Sequence, residues 1–324
     1  GGRSLDTIRI ISGINDRLDS RLSLLAIFEH PTPAELARQV ENSGTGREYP
    51  AITPAPVKPV YDLSHGQMRY WLNALTASRK GEVTAPGVEI TAEAVIIEGP
   101  LDYDRFHRAL EEVVKRHDIL RTVYKEQQGQ PVQVIQSSMD VPFEHFDLTK
   151  LPPDKREQQL SEQLLTQFKR NFVLKTPPLI RFLVYRVEES RYVLFCNASH
   201  IGFDGWSFFI ILKEVAYFYN ELKASGTVGE LPPVMRYVDY VEWQEERIKS
   251  GQLEDQANYW TRYLDRKIPV AQIPPDYPDG KPPAQVEPAK VYRFMLQPDT
   301  AKKLQETAAA ENTTAFVVMF AMLN

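Results

Sequence analysis

Residues 179 to 222 read LIRFLVYRVEESRYVLFCNASHIGFDGWSFFIILKEVAYFYNEL, and no other stretch of the chain restricts the fold so tightly. Two runs rich in β-branched and aromatic residues are separated only by Glu-Glu-Ser, which dictates an antiparallel strand pair. The second run passes directly into a polar loop, SHIGFDG, and a long, mostly apolar segment of helical length follows from Trp206. A buried strand must therefore hand the chain to a buried helix through a few residues that include His200 and Asp204. Gly202 and Gly205 bracket Asp204 at the helix entry.

Helix and strand patterns interleave around this unit. Residues 61–75, 101–120 and 158–172 carry helical periodicity, 88–99 reads as a strand, and 122–136 reads as a hairpin around Gln-Gly-Gln-Pro. The class is α/β or α+β with a partly antiparallel sheet. Upstream, Ile8, Ile11, Ile14 and Leu18 recur at helical spacing, and PTPAELARQV forms a second helix with proline in its first turn. Between the two regions, residues 41–60 mix Gly, Ser and Thr with four prolines and no period, as a linker does. The expected division is a small helical unit at 1–43, a linker at 44–57 and a larger domain at 58–324. Further on, IPPDYPDGKPP (273–283) reads as a surface loop, and a helical pattern from Asp299 begins another layer.

The totals narrow the function classes. A chain of 324 residues suits about two domains. With 43% hydrophobic and 25% charged residues and a net charge of -5, it offers no electrostatic footprint for nucleic acid, so proteins or small molecules are the expected partners. The one cysteine, Cys196 in YVLFC, excludes an intrachain disulfide, and the six scattered histidines show no metal-ligand spacing. A cytoplasmic location fits. Neither a leader nor an apolar run of about 20 residues is present, so no membrane span is expected. The chain starts without methionine and stops inside AFVVMFAMLN, which reads as a piece cut from a longer protein.

His200, at the strand end, can accept or position a proton, and backbone N–H groups at the following helix start can stabilise an anion. A serine-histidine-aspartate triad through Ser199 is disfavoured, because adjacent strand residues point to opposite faces. His117 reads as structural, and Trp206 with the phenylalanines after it as core.

These residues resemble a known family. SHIGFDGWS is similar to the His-His-x-x-x-Asp-Gly motif of nonribosomal peptide synthetase condensation domains, with Ser199 in place of the first histidine. LSHGQMRYWL (63–72), RHDILRTVY (116–124) and YVDYVEW (237–243) resemble three further motifs of that family in the same order. GGRSLDTIRIISGINDRL followed by AIFEHPTPAELA looks like the C-terminal part of a peptidyl carrier domain, whose phosphopantetheine-bearing serine maps to Ser4. A serine capping a helix start suits a phosphodiester, which would meet the positive end of the helix dipole.

The resemblance implies a small all-α carrier fragment followed by an α/β chloramphenicol-acetyltransferase-like condensation domain, a two-lobe pseudo-dimer with its first lobe at about 58–235 and its second lobe incomplete. It implies amide formation between two carrier-bound thioesters, with His200 orienting or deprotonating the acceptor amine and the Gly205 N–H assisting the oxyanion. Asp204 is expected to hold the loop by pairing with Arg121, or failing that with Arg181, and Ser199 to support the loop from behind. Epimerisation and heterocyclisation fit the motif less well, and an L-configured or achiral donor is expected. The implied partners are carrier and adenylation domains of one assembly line and a phosphopantetheinyl transferase. The competing expectation is a catalytically silent module that docks carriers or recruits enzymes.

Overall fold

The computed structural model describes residues 4–45, 50–80, 90–265, 294–311 and 313–322. In chain order the elements are α1 (Ser4–Leu18), α2 (Ala26–Glu29), α3 (Pro33–Asn42), β1 (Tyr61–Asp62), α4 (His65–Lys80), β2 (Ile90–Glu98) and α5 (Tyr103–Arg116). A 3-10 turn (Asp118–Arg121) leads to β3 (Thr122–Gln127), β4 (Gln130–Ile135), β5 (Phe143–Asp147), α6 (Pro153–Phe168), β6 (Ile180–Glu188) and β7 (Arg191–Ser199). Helices α7 (Gly205–Ser225), α8 (Tyr237–Lys249), α9 (Glu254–Leu264), α10 (Pro298–Ala310) and α11 (Ala315–Ala321) follow. The chain divides into two compact units, residues 1–260 and 261–324. The second contains α10 and α11 among its described residues. The loop expected at 273–283 lies outside the described residues.

The strand pair expected after Leu179 forms the middle of a four-stranded sheet of order β2-β7-β6-β5. Its pairings are antiparallel except β5 with β6, which is parallel. Because strand side chains alternate, one face of β6 and β7 carries Phe182, Val184, Leu194 and Cys196 against Phe106, Leu110, Val113, Phe208, Ile211 and Val215 of α5 and α7. The other carries Leu183, Tyr185 and Phe195 against α6. Burial of both faces explains why these strands read as nearly continuous apolar runs. Helix α7 buries Phe208, Ile211, Val215, Phe218 and Leu222 at helical spacing, and its opposite side leaves Trp206 and Phe209 exposed. Trp206 is thus not core, contrary to expectation. The 3.6-residue period puts it on the outer face. At the C-terminal end of α5, His117 meets Glu214 of α7 at 2.7 Å, and Arg116 shares that carboxylate. His117 therefore ties the two helices together.

Residues 61–75 were expected to be helical throughout, but the helix begins only at His65. Ser64 Oγ accepts the Gln67 N–H and Gln67 Oε1 accepts the Ser64 N–H, a reciprocal cap that stops the helix from extending backward. Tyr61 and Asp62 instead pair with β4, completing a second sheet of order β1-β4-β3.

The small N-terminal unit packs Ile11, Leu22, Ala26 and Leu36 together, with Thr32 and Glu35 forming a capping box before α3. The proline-rich stretch after it is not free along its length. Trp243 Nε1 donates to Pro50 O at 2.9 Å, and the buried Asp239 carboxylate accepts the Ala55 N–H at 2.9 Å. Arg236 bridges the Asp239 carboxylate and Ala55 O. Helix α8 therefore grips residues 50–55 by their backbone.

Candidate active site

His200 follows the last residue of β7. Its Nδ1 lies 2.9 Å from Phe203 O, within the loop itself. A carbonyl can only accept, so Nδ1 carries the proton of the neutral ring and Nε2 keeps its lone pair. The ring stacks on Tyr70 of α4, with centroids 4.9 Å apart and planes inclined at 28°. A half-buried imidazole thus presents a basic nitrogen, with its tautomer set by a backbone group.

The underside of the loop is held by the 3-10 turn and the first residues of β3. A side chain at Gly202 would place its Cβ 3.1 Å from Tyr124 Oη and 3.3 Å from Ile119 Cγ1, so only glycine allows this approach without displacement. Tyr124 is fully buried and accepts a hydrogen bond from Gln67 Nε2 at 3.0 Å, and burial pushes its phenol well above the ordinary range. Ser64 Oγ in turn lies 2.9 Å from Tyr237 Oη of α8. Three of the sequence motifs are thereby joined behind the fourth.

Ser199 is buried, at 4% exposure, and its N–H donates to Leu179 O. No hydrogen bond links it to His200 among the described residues. Asp204 departs from expectation. Its carboxylate caps α7, accepting the Ser207 N–H at 2.7 Å and the Ser207 hydroxyl at 2.6 Å, and no arginine lies within ion-pair distance of it among the described residues. Arg121 pairs instead with Asp118 and donates to Gln136 O at 2.8 Å, bracing the start of β3. Arg181 donates to Arg170 O and Asn171 O and lies over the Phe172 ring. Both guanidiniums are held by groups near them in sequence, and the exposed Asp204 meets its own helix first. Gly205 is the first residue of α7, where backbone N–H groups have no intrahelical acceptor.

Comparison with known proteins decides the family. The family described as Condensation domain matches residues 57–324, and that described as Phosphopantetheine attachment site matches residues 1–40. The chain belongs to the condensation-domain family. Its whole length is 32% identical to surfactin synthase subunit 2 of Bacillus subtilis and 30% identical to gramicidin S synthase 2 of Aneurinibacillus migulanus, covering 8% and 7% of those proteins. The chain thus spans less than a tenth of the length of these relatives. Its fold is shared by the crystal structure of the starter condensation domain of rhizomide synthetase RzmA (TM-score 0.57, 21% identity, 65% of this chain and 49% of that one). The first condensation domain of the calcium-dependent antibiotic synthetase also shares it (TM-score 0.56, 20% identity, 64% and 48%). The chloramphenicol-acetyltransferase-like architecture expected from the motifs is therefore the fold of this condensation domain.

Two contributors to this candidate site escaped sequence reasoning. Tyr70 sits inside the opening motif, but only tertiary contact puts its ring on His200. Gln67 had a readable signal, the Ser-x-x-Gln spacing of a capping box, which marks the start of α4 and hence the register that brings Tyr70 to the loop.

Proposed function

We propose that this chain forms amide bonds between a donor acyl or peptidyl thioester and an acceptor aminoacyl thioester, both carrier-bound, with His200 acting on the acceptor amine. The observation that carries this reading is the bond between His200 Nδ1 and Phe203 O, which leaves Nε2 as an acceptor at the mouth of the loop. As the amine nitrogen attacks the donor carbonyl, Nε2 takes the proton that nitrogen sheds. The C–N bond forms, the C–S bond breaks, and the imidazolium returns the proton to the departing thiolate. A thioester is already activated, so most of the acceleration comes from holding the two reactants together. His200 then supplies the proton transfer, worth about two to four orders of magnitude.

The Gly205 N–H, at the positive end of α7, is assigned to the developing oxyanion. Asp204 keeps that end in place as a cap, Ser199 packs behind the loop, and Arg121 supports it at one remove through β3.

Ser4 is assigned as the phosphopantetheine attachment site. It opens a 15-residue helix, whose first backbone N–H groups lack intrahelical acceptors and would suit the phosphate of the group. When bound, the group supplies the thiol that carries an acyl chain. The carrier at 1–43 and the condensation domain at 58–324, with 44–57 between, then belong to a longer assembly line with adenylation domains. A phosphopantetheinyl transferase loads the carrier in the cytoplasm. Among the described residues no helix is long and apolar enough to cross a membrane. Nothing in the site favours a silent docking module, since the serine that departs from the motif lies apart from the imidazole's hydrogen bond.

The test supplies the full-length synthetase with a donor on the upstream carrier and an acceptor on the downstream one. Intact-protein mass spectrometry is expected to find the donor mass moved onto the acceptor carrier. Donor that stays in place beside a competent acceptor would support the silent module.

A further inference from the structure

A single hydrogen bond does not fix an imidazole. The bond between His200 Nδ1 and Phe203 O anchors one corner of the ring, and the plane can still swing about that contact. What limits the swing is the face of Tyr70, 4.9 Å away and inclined by 28°. We propose that Tyr70 is a positioning residue for the condensation reaction: its ring holds the His200 plane so that the Nε2 lone pair keeps one direction toward the acceptor amine. The inference rests on the reading of His200 as the proton acceptor, and goes beyond it.

Tyr70 is itself braced. The Arg69 guanidinium lies 4.8 Å from its ring centre, and Arg69 Nη2 donates to Tyr70 Oη at 2.9 Å. The helix beneath it is registered by the Ser64–Gln67 cap, and Gln67 reaches on to Tyr124, the phenol against which Gly202 rests. Tyr70 and Trp71 pack on the cluster that holds Leu63, Tyr124, Leu179 and Ile201, and Ile201 is the neighbour of His200 in sequence. The stacking ring and the stacked ring are therefore tied to one buried cluster, so their separation is set by the fold rather than by two mobile side chains. The ring, not the hydroxyl, faces His200. Phenylalanine should serve at this position where an aliphatic residue does not.

The experiment has a spectroscopic arm and a rate arm. Histidine-selective 15N labelling of this chain, with His200 assigned by its loss in His200→Gln, reports the tautomer of the neutral ring. Wild type and Tyr70→Phe are expected to show the Nδ1–H form. Without the Tyr70 face the swing also breaks the Nδ1–Phe203 O contact part of the time, so Tyr70→Leu is expected to add a clear Nε2–H population while the remaining five histidine signals stay in place. In single-turnover amide formation by the full-length synthetase, Tyr70→Leu is expected to lower the rate constant about three- to tenfold, the scale of a lost aromatic pair, with acceptor KM unchanged and Tyr70→Phe restoring the rate. If Tyr70→Leu does not fold, Tyr70→Met takes its place in both arms. A wild-type tautomer and rate in the aliphatic variant overturn the role of Tyr70 and leave the His200 reading intact. A wild-type rate in His200→Ala overturns the His200 reading itself, and the tautomer arm still decides whether Tyr70 orients the ring.

Discussion

Asp204 is exposed at the end of the loop, and its carboxylate serves the first turn of α7 by accepting the Ser207 N–H. As a cap on exposed backbone, its removal in Asp204→Ala is expected to cost about 1 kcal/mol in urea unfolding, with Asp204→Ser nearly neutral. A loss of about 3–5 kcal/mol would instead indicate the buried ion pair the motif suggested. Cys196 makes a second residue-scale prediction. It is 1% exposed within the sheet, and burial pushes its thiol up. Native protein at pH 8 is expected to resist iodoacetamide, and protein in urea to react fully. Native labelling at the unfolded rate would contradict the packing of β7.

At the scale of elements, strands and helices with strong periodicity could be read directly, as in β6, β7 and α7. The two-residue strand β1 could not, because its only signal is a partner 70 or more residues away. The grip of α8 on residues 50–55 was likewise hidden. Composition shows only that this stretch lacks a helix or strand pattern, and its fixing comes from Asp239, Arg236 and Trp243 far along the chain. Burial alone would raise the Asp239 carboxyl, yet hydrogen bonds from Arg236 and Ala55 outweigh it and hold the group below its ordinary value. A carboxylate with a depressed folded pKa adds stability above its unfolded pKa of about 4, and that stability disappears as pH falls through the folded value. Amide exchange at Ala55 is expected to be slow at neutral pH and fast in Asp239→Ala, which loses about 3–5 kcal/mol as Arg236 is left unpaired. Equal exchange in both proteins would show that residues 50–55 are not held by this carboxylate.

Over the whole molecule, buried acids dominate the alkaline limb. Cys196 and Tyr124 are pushed up by burial, and Tyr185 is pushed up to about 12 by burial and by Glu144. Below their unfolded values, about 8.5 for Cys and 10 for Tyr, both states hold these protons and their contribution is complete. Above them the unfolded chain ionises first, so stability falls as pH rises toward the folded values. Urea midpoints are expected to decline from about pH 9 upward, and a flat profile to pH 11 would place these groups in water. The family and its fold were legible because four motifs stand in order on elements whose periodicity is clear. The proposed chemistry turns on one tautomer that the sequence does not display. The most direct test of the account is therefore single-turnover amide formation by the full-length synthetase with both carriers loaded. His200→Ala is expected to fall by at least about a hundredfold and Ser199→Ala by far less. Equal rates for wild type and His200→Ala would contradict it.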